Sequence, residues 1–421
     1  MKNPFVIRML KFGSGERFPV LIDPNTSQPD FDSTVYVLTQ LRATNKATNT
    51  IIHHLRAIIV LKLFLLRSCI DLDERINSGQ LLLGYELDEL TKICKQPVDF
   101  FLTSITMVGA PHSKESVIKV NFRHKQENKL APNISAQTAV NRIHAIRDFL
   151  GWLTMDRAAR LTERVRKNTH ESWEQLRIGL NARVSNSRRR NQIGQREGAD
   201  PQTIKLLFET VHLDSEQNPW KSDRVRIRNQ LIIYWLFHTG IRRGELLNLK
   251  ITDINFRGDT VTIARRADDE EDPRLHQPVV KTRDRKIPLS SSLVSMTLNY
   301  ITKCRSEIDG SQAHPFLFVS DRKGSPLSLS VINEIFSDIR NSAPDYFEHL
   351  TAHVLRHTWN DNFSKEVDEL KLKQGDEESM RSFLMGWSPT SGSAATYSRR
   401  HVREKAKRVS VAMQNKILNG E

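Results

Sequence analysis

Residues 184–202, VSNSRRRNQIGQREGADPQ, interrupt a chain that otherwise repeats apolar residues at helical spacing. The run joins consecutive arginines to Gly194, Gly198 and Pro201, residue types that end helices and strands alike. It predicts an exposed basic linker with a folded half on either side. Before it, Leu38, Leu41, Ile51, Leu55, Ile58, Ile59 and Leu63 lie along one broad helical stripe between Ser33 and about Ile70. A second helix is expected from Ala136 to Leu153, with Val140, Ile143, Ile146, Phe149, Leu150 and Leu153 on its apolar face and Arg142 and Arg147 on the other. Residues 1–30 alternate weakly and predict a small strand pair or an extended arm.

Beyond the linker the pattern is mainly helical with one β interlude. Ile251–Phe256, Thr260–Arg265, Val279–Lys281 and Lys286–Leu289 are short β-like runs. Arg257-Gly258-Asp259 is expected to be a hairpin turn, and the acidic cluster Asp268–Asp272 a solvated loop.

Composition narrows the class of partner. Hydrophobic residues make up 38% of the 421 residues, enough to bury real cores. Lys and Arg total 63 against 49 Asp and Glu, a formal +14 that suits a polyanion, nucleic acid before an anionic membrane surface. Cys69, Cys94 and Cys304 are too few and too scattered for a disulfide framework or a metal knuckle. The most apolar stretch, Ile58 to Ile70, is interrupted by Lys62 and Arg67. A membrane span needs about 20 nearly unbroken apolar residues, so the expectation is a soluble, cytoplasmic protein.

Cleaving a phosphodiester requires stabilising a phosphate that gains a fifth ligand and negative charge, which enzymes do with divalent metals or with arginines. His353 and His357 share a helical face, but AHVLRHT lacks the glutamate of HExxH, so no metal site is expected. The arginine route fits better. In LIIYWLFHTGIRRGELLNLK an apolar helix ends at Thr239-Gly240 and restarts at Ile241, leaving Arg242 projecting where two helices meet. Glu245 lies one turn on, placed to orient that guanidinium or bond a neighbouring histidine. In LTAHVLRHTWNDNF, His353 and Arg356 share a helical face and can converge on one phosphate. In SFLMGWSPTSGSAATYSRR a Gly-Trp turn precedes Tyr397, which is flanked by Arg399, Arg400 and His401. A phenol of ordinary pKa about 10 needs such cationic neighbours, or a base, to attack.

Taken in order, TGIRRGELLNL, HVLRHT and MGW…ATY resemble the first, second and third boxes of the tyrosine recombinase (phage integrase) family. The resemblance covers roughly residues 200–410; the N-terminal half is similar only in style, as a helical core-binding domain on a basic linker. It implies a mainly α fold: a core-binding domain over 31–190, the linker 184–202, and a mostly helical catalytic domain with a small antiparallel sheet over 200–421. Arg242 and Arg356 would clamp the scissile phosphate, His353 would act as general acid/base or as a further phosphate donor, and Tyr397 would form a 3′-phosphotyrosine bond. The family's leaving-group lysine, from a β-hairpin between the two arginine boxes, would be Lys281, with Lys286 as competitor.

No cofactor is implied. The partner would be double-stranded DNA, with a homotetramer on synapsed sites, a monomer or dimer when free, and an accessory bending or directionality factor. Arg142, Arg147, Arg188, Arg189, Arg190, Arg283 and Arg285 are candidates for backbone contact. Two departures stand out: the third box reads Gly386-Trp387 where the family usually has Gly-His, and the Trp387–Tyr397 spacing is about one residue longer than the family's. Indole can donate a hydrogen bond but cannot shuttle a proton. The nearest alternatives are a type IB topoisomerase, which shares the chemistry but acts alone, and a non-catalytic DNA-binding regulator. The segment 402–418 predicts an amphipathic helix suited to docking on a neighbouring subunit.

Overall fold

The computed structural model describes residues 3–103, 107–108, 119–120, 133–184, 197–372, 374–388, 406–407 and 409–414. The chain divides into two compact units, Met1–Lys11 with Arg17–Gln192 and Phe12–Glu16 with Ile193–Glu421.

The first unit begins with strands β1 (Val6–Lys11) and β2 (Arg17–Ile22), antiparallel with Val6 opposite Ile22 and Lys11 opposite Arg17. Every residue of β2 is buried, and the strand packs on α2 (Thr48–Arg67). The stripe expected to run unbroken from Ser33 is two elements instead. Asp30 caps α1 (Phe31–Tyr36) by accepting from the Ser33 amide, and the chain then widens into a π-helical turn over Val37–Arg42. The hydroxyls of Thr39 and Thr44 bond back to the carbonyls of Val35 and Gln40, and Asn45 adopts a left-handed φ of 53°. Short polar side chains of this kind offer the backbone an alternative to the helix ladder, and Asn tolerates that conformation. The helix stops there, and Leu38 is left exposed.

By length and composition alone α2 could cross a membrane, and it is the one such helix among the described residues. Its apolar positions Ile51, Leu55, Ile58, Leu61 and Phe64 are all buried in the core of this unit. α3 (Leu72–Asn77), α4 (Gly84–Cys94) and α5 (Val98–Thr103) follow, then the two-residue strands β3 (Met107–Val108) and β4 (Lys119–Val120). α6 (Ala136–Ala158) lays Ile143, Ile146, Phe149, Leu150 and Leu153 between α2 and α7 (Glu163–Ala182).

The second unit is built around α9 (Asp223–Thr239), which follows α8 (Pro201–Val211). Leu231, Ile232, Ile233, Trp235 and Leu236 of α9 are buried in succession, the pattern of a helix covered on several sides. Each such aliphatic side chain contributes roughly 1.5–3 kcal/mol by leaving water. The short α10 (Arg243–Leu247) leads into a three-stranded antiparallel sheet of β5 (Ile254–Asn255), β6 (Thr260–Ile263) and β7 (Arg285–Pro288), with Val261 facing both Ile254 and Ile287. Arg257-Gly258-Asp259 forms the β5–β6 turn, its first two amides donating to Asn255 Oδ1. The remaining helices are α11 (Ser291–Lys303), α12 (Leu329–Ser342), α13 (Pro344–Phe347), α14 (Ala352–Glu369) and α15 (Gln374–Met385). α11 and α14 pack directly on α9.

Three expectations for the β interlude change. Ile251–Asp253 is a 3-10 turn, and Val279–Lys281 is not a strand. The acidic cluster is not a freely solvated loop either. Asp272 is fully buried and forks onto Arg274, which also donates to the carbonyls of Leu247 and Leu327. Asp269 pairs with the buried Lys250 at 2.8 Å, and Asp253 pairs with Arg266. Carboxylates placed where a nearby cation is already desolvated are drawn in as partners, because an unpaired buried charge is far costlier than the pair.

Candidate active site

The site starts at the end of α9. Gly240 takes a left-handed φ of 62°, which a side chain would resist, and turns the chain back within two residues. Arg242 is then the N-cap of α10, in extended conformation, and Glu245 is the third residue of that helix. The Glu245 carboxylate accepts from the Arg242 amide at 3.1 Å and from the Arg242 guanidinium at 3.3 Å. Of the two roles open to Glu245 in the sequence, the described contacts give it the first, orienting Arg242.

Glu245 has two further donors. Arg285 Nη2 lies 2.8 Å away and the Thr282 hydroxyl 2.7 Å. Burial opposes ionisation of this carboxyl, but the field of Arg285 and then of Arg356, with the hydrogen bonds from Arg285 and Thr282, outweighs it. The carboxyl is held below its ordinary range. Arg285 is correspondingly not a surface residue. Its guanidinium is buried, with Nε donating to the Leu384 carbonyl at 2.6 Å and Nη1 to Thr282 at 3.0 Å. The expected contact of Arg285 with DNA backbone is therefore corrected: the side chain is spent inside the protein.

α14 supplies the second half of the cleft. Thr351 caps it by accepting from the Val354 amide, so the helix begins just before His353 and both His353 and Arg356 fall in its first turns. Arg356 is buried, donates to the Gly240 carbonyl at 2.6 Å, and lies over the Trp387 ring with its guanidinium carbon 5.5 Å from the centroid. His353 meets His357 edge to face at 4.6 Å. A cleft of about 590 Å³ is lined by Arg242, Arg243, Arg340, Asn333, His353 and Arg356, among others. Arg242 from the start of α10 and His353 and Arg356 from α14 thus line one concave surface, with a third and fourth arginine at its walls. Such a surface can neutralise the charge of a bound phosphodiester and exchange a proton with it.

The sequence of residues 207–373 matches the phage integrase family. These residues form a phage integrase domain. Tyrosine recombinase XerA of Pyrococcus furiosus is 29% identical over 156 residues, 37% of this chain and 44% of that protein. Tyrosine recombinase XerH of Campylobacter jejuni is 31% identical over 148 residues, 35% of this chain and 37% of that one. The chain spans less than half the length of these curated relatives. Among solved structures, XerH bound to its palindromic difH substrate aligns over 64% of this chain and 72% of that chain at 18% identity, with a TM-score of 0.40.

After the phage integrase domain, α15 delivers Gly386 and Trp387. Gly386 has φ 65° and its carbonyl accepts from the Arg283 amide at 3.0 Å. A β-carbon there would meet Arg285 Nη1 at 2.8 Å and the Arg283 carbonyl oxygen at 2.9 Å, so this crossing requires glycine. Trp387 is buried with Met385 against Trp359 and Leu384. Tyr397 lies outside the described residues, as do Arg188, Arg189, Arg190, Arg399, Arg400 and His401. Of the segment 402–418, residues 406–407 and 409–414 are described, helical and exposed.

The other candidates scatter. Lys281 is exposed in the long β6–β7 connection and is not among the residues lining the cleft; Lys286 is exposed on β7. Arg283 is exposed. In the first unit Arg142 is turned inward, donating to the carbonyls of Cys94 and Gln96 at 3.1 and 2.9 Å, so it braces α6 against the end of α4 instead of facing a partner. Arg147 remains partly exposed and bonds Asp148 and Asn181. Sequence reasoning missed Arg243, Arg340, Thr282 and the buried role of Arg285. Arg243, adjacent to Arg242, was within reach of that reasoning; the others depend on contacts far apart in the chain.

Proposed function

We propose that this chain is a site-specific DNA recombinase of the tyrosine type, an enzyme that cleaves and rejoins DNA strands. The observation that carries the reading is the cleft in which Arg242, His353 and Arg356 converge over the buried, ionised Glu245. Arg242 and Arg356 would bind the non-bridging oxygens of the scissile phosphate, and the Trp387 ring would hold Arg356 in place. His353 would take the phenolic proton as the Tyr397 oxygen attacks phosphorus. A 3′-phosphotyrosine bond forms, the bond to the 5′-oxygen breaks, and that oxygen leaves with a proton from Lys281. The phosphotyrosine conserves the energy of the broken bond, so a partner strand's 5′-hydroxyl can reverse the step with no nucleotide consumed and no metal called for.

Under this reading residues 31–190 form the core-binding domain, 184–202 the basic strap and 200–421 the catalytic domain, and the partner is double-stranded DNA. Four such chains on two duplexes would exchange strands to integrate or excise a mobile element. The deciding experiment incubates the protein with a pool of nicked, cleavage-trapping duplexes in EDTA. A denaturant-resistant adduct formed by wild type and lost in Tyr397→Phe is the expected result. DNA binding without any adduct would overturn the reading in favour of a regulator, and an adduct that survives Tyr397→Phe would mean another nucleophile.

A further inference from the structure

Arg285 makes three directed contacts on three different pieces of the second unit. Nη2 reaches Glu245 beneath Arg242, Nη1 reaches Thr282 in the chain entering β7, and Nε reaches the Leu384 carbonyl at the end of α15. The guanidinium is almost wholly removed from solvent, and Gly386 lacks the β-carbon that would collide with it. A guanidinium is planar and presents its donors in a fixed fork, so holding all three acceptors at once fixes their relative placement.

We propose that Arg285 is a positioning residue that couples the phosphate clamp at Arg242 to the α15–Trp387 segment from which the chain runs on to Tyr397. The inference rests on the recombinase reading for its consequence in catalysis, but not for its mechanical content. Glu245 transmits one end of the coupling, because it holds both the amide and the guanidinium of Arg242. The Leu384 carbonyl transmits the other, one turn before Trp387. The buried Glu245 is faced by Arg242 from the α10 N-terminus, Arg285 from β7, Thr282 from the loop before it and Arg356 from α14. A lysine at 285 could keep the charge opposite Glu245 but could not span the remaining acceptors.

The test uses Arg285→Lys in the full chain, with Arg285→Met and Arg285→Met/Glu245→Gln beside it. The first readout, hydrogen exchange on the free protein, needs no activity. Arg285→Lys should speed exchange about tenfold in both residues 241–247 and residues 383–388, with α6 and α11 unchanged. Faster exchange confined to β7, or none at all, overturns the coupling. The second readout is the rate of Tyr397 adduct formation on a trapped nicked duplex. Arg285→Lys should slow it about tenfold while leaving duplex affinity within about twofold. Glu245→Gln should recover part of the rate lost in Arg285→Met by removing a buried carboxylate that has lost its nearest cation. A normal adduct rate in Arg285→Lys, or an affinity loss that accounts for the whole effect, sinks the proposal. If wild type forms no adduct, the recombinase reading fails and the exchange result still decides the coupling.

Discussion

The Arg356 guanidinium donates a 2.6 Å hydrogen bond to the carbonyl of Gly240. The arginine of the second box is therefore seated on the turn that launches the first, although 116 positions separate them. The two phosphate ligands of the proposed site share a single backbone support, so damage to the turn should reach both.

Gly240→Ala tests that support. The substitution forces a side chain into φ 62° and brings its β-carbon to 2.8 Å from the Trp359 ring and 3.1 Å from Met385 Cε. The left-handed conformation and the crowding together should cost roughly 2–5 kcal/mol. Urea unfolding should show it in the second unit's transition, and an unchanged midpoint would falsify the strain argument.

Glu245 gives a pH signature. Its folded-state pKa lies below the ordinary value of 4.5, so the stability it contributes is fully present above 4.5 and is lost as pH falls through the folded value. Glu245→Gln should lower the melting temperature at pH 7, and the gap from wild type should narrow as the buffer is taken below 4.5. A gap that stays constant with acidification would mean that the carboxylate's charge is not what stabilises the fold.

Trp387 should matter first as a surface for Arg356. Trp387→Ala should destabilise by roughly 3–5 kcal/mol through the cavity it leaves, whereas Trp387→Phe, retaining a ring under the guanidinium, should lose much less. Thermal melts of the two variants separate the cases; equal losses would point to the indole N–H instead of the ring face.

The cysteines should differ sharply in reactivity. Cys69 is exposed, while Cys94 is buried and its thiol pushed up to about 12 by desolvation. Titration of the folded protein with a thiol reagent should modify Cys69 rapidly and Cys94 only after denaturant is added. Rapid labelling of Cys94 would contradict its place in the first unit's core.

Salt dependence separates arginines that face a polyanion from those that do not. Each phosphate contact contributes about −0.9 to the slope of log affinity against log salt. Arg142→Met should lower the stability of the first unit and leave that slope unchanged, because its guanidinium serves the Cys94 and Gln96 carbonyls. A slope shallower by about one unit would return Arg142 to the DNA-facing set.

What could be read in advance follows the range of the forces involved. Helices such as α6 and α9 announce themselves through apolar spacing, and Gly240 through the turn chemistry only glycine meets easily. Arg242 was legible at its helix boundary and His353 with Arg356 through their shared helical face, whereas bringing all three to one phosphate followed only from the family resemblance. The π-helical break after Tyr36 was not, since threonine back-bonding competes weakly with an apolar stripe that continues beyond it. Arg285 and Asp272 were misjudged for one reason: a charged residue in a polar stretch gives no sign that a partner 40 positions upstream, or two downstream, will draw it out of water. Lys281 was expected in a hairpin turn, but the β6–β7 connection is long and tied by Arg274 and Arg266 to Leu327 and Asp253 outside it.

The buried strand β2 has a practical corollary for anyone shortening this protein. Residues 17–22 shield one flank of α2, the only described helix apolar enough to suit a lipid bilayer. A truncated version begun near residue 31 would send that helix out of the ribosome without its cover. Chaperones and membrane-insertion machinery would then compete for it, and poor expression of such a fragment would reflect a lost shield, not a toxic activity.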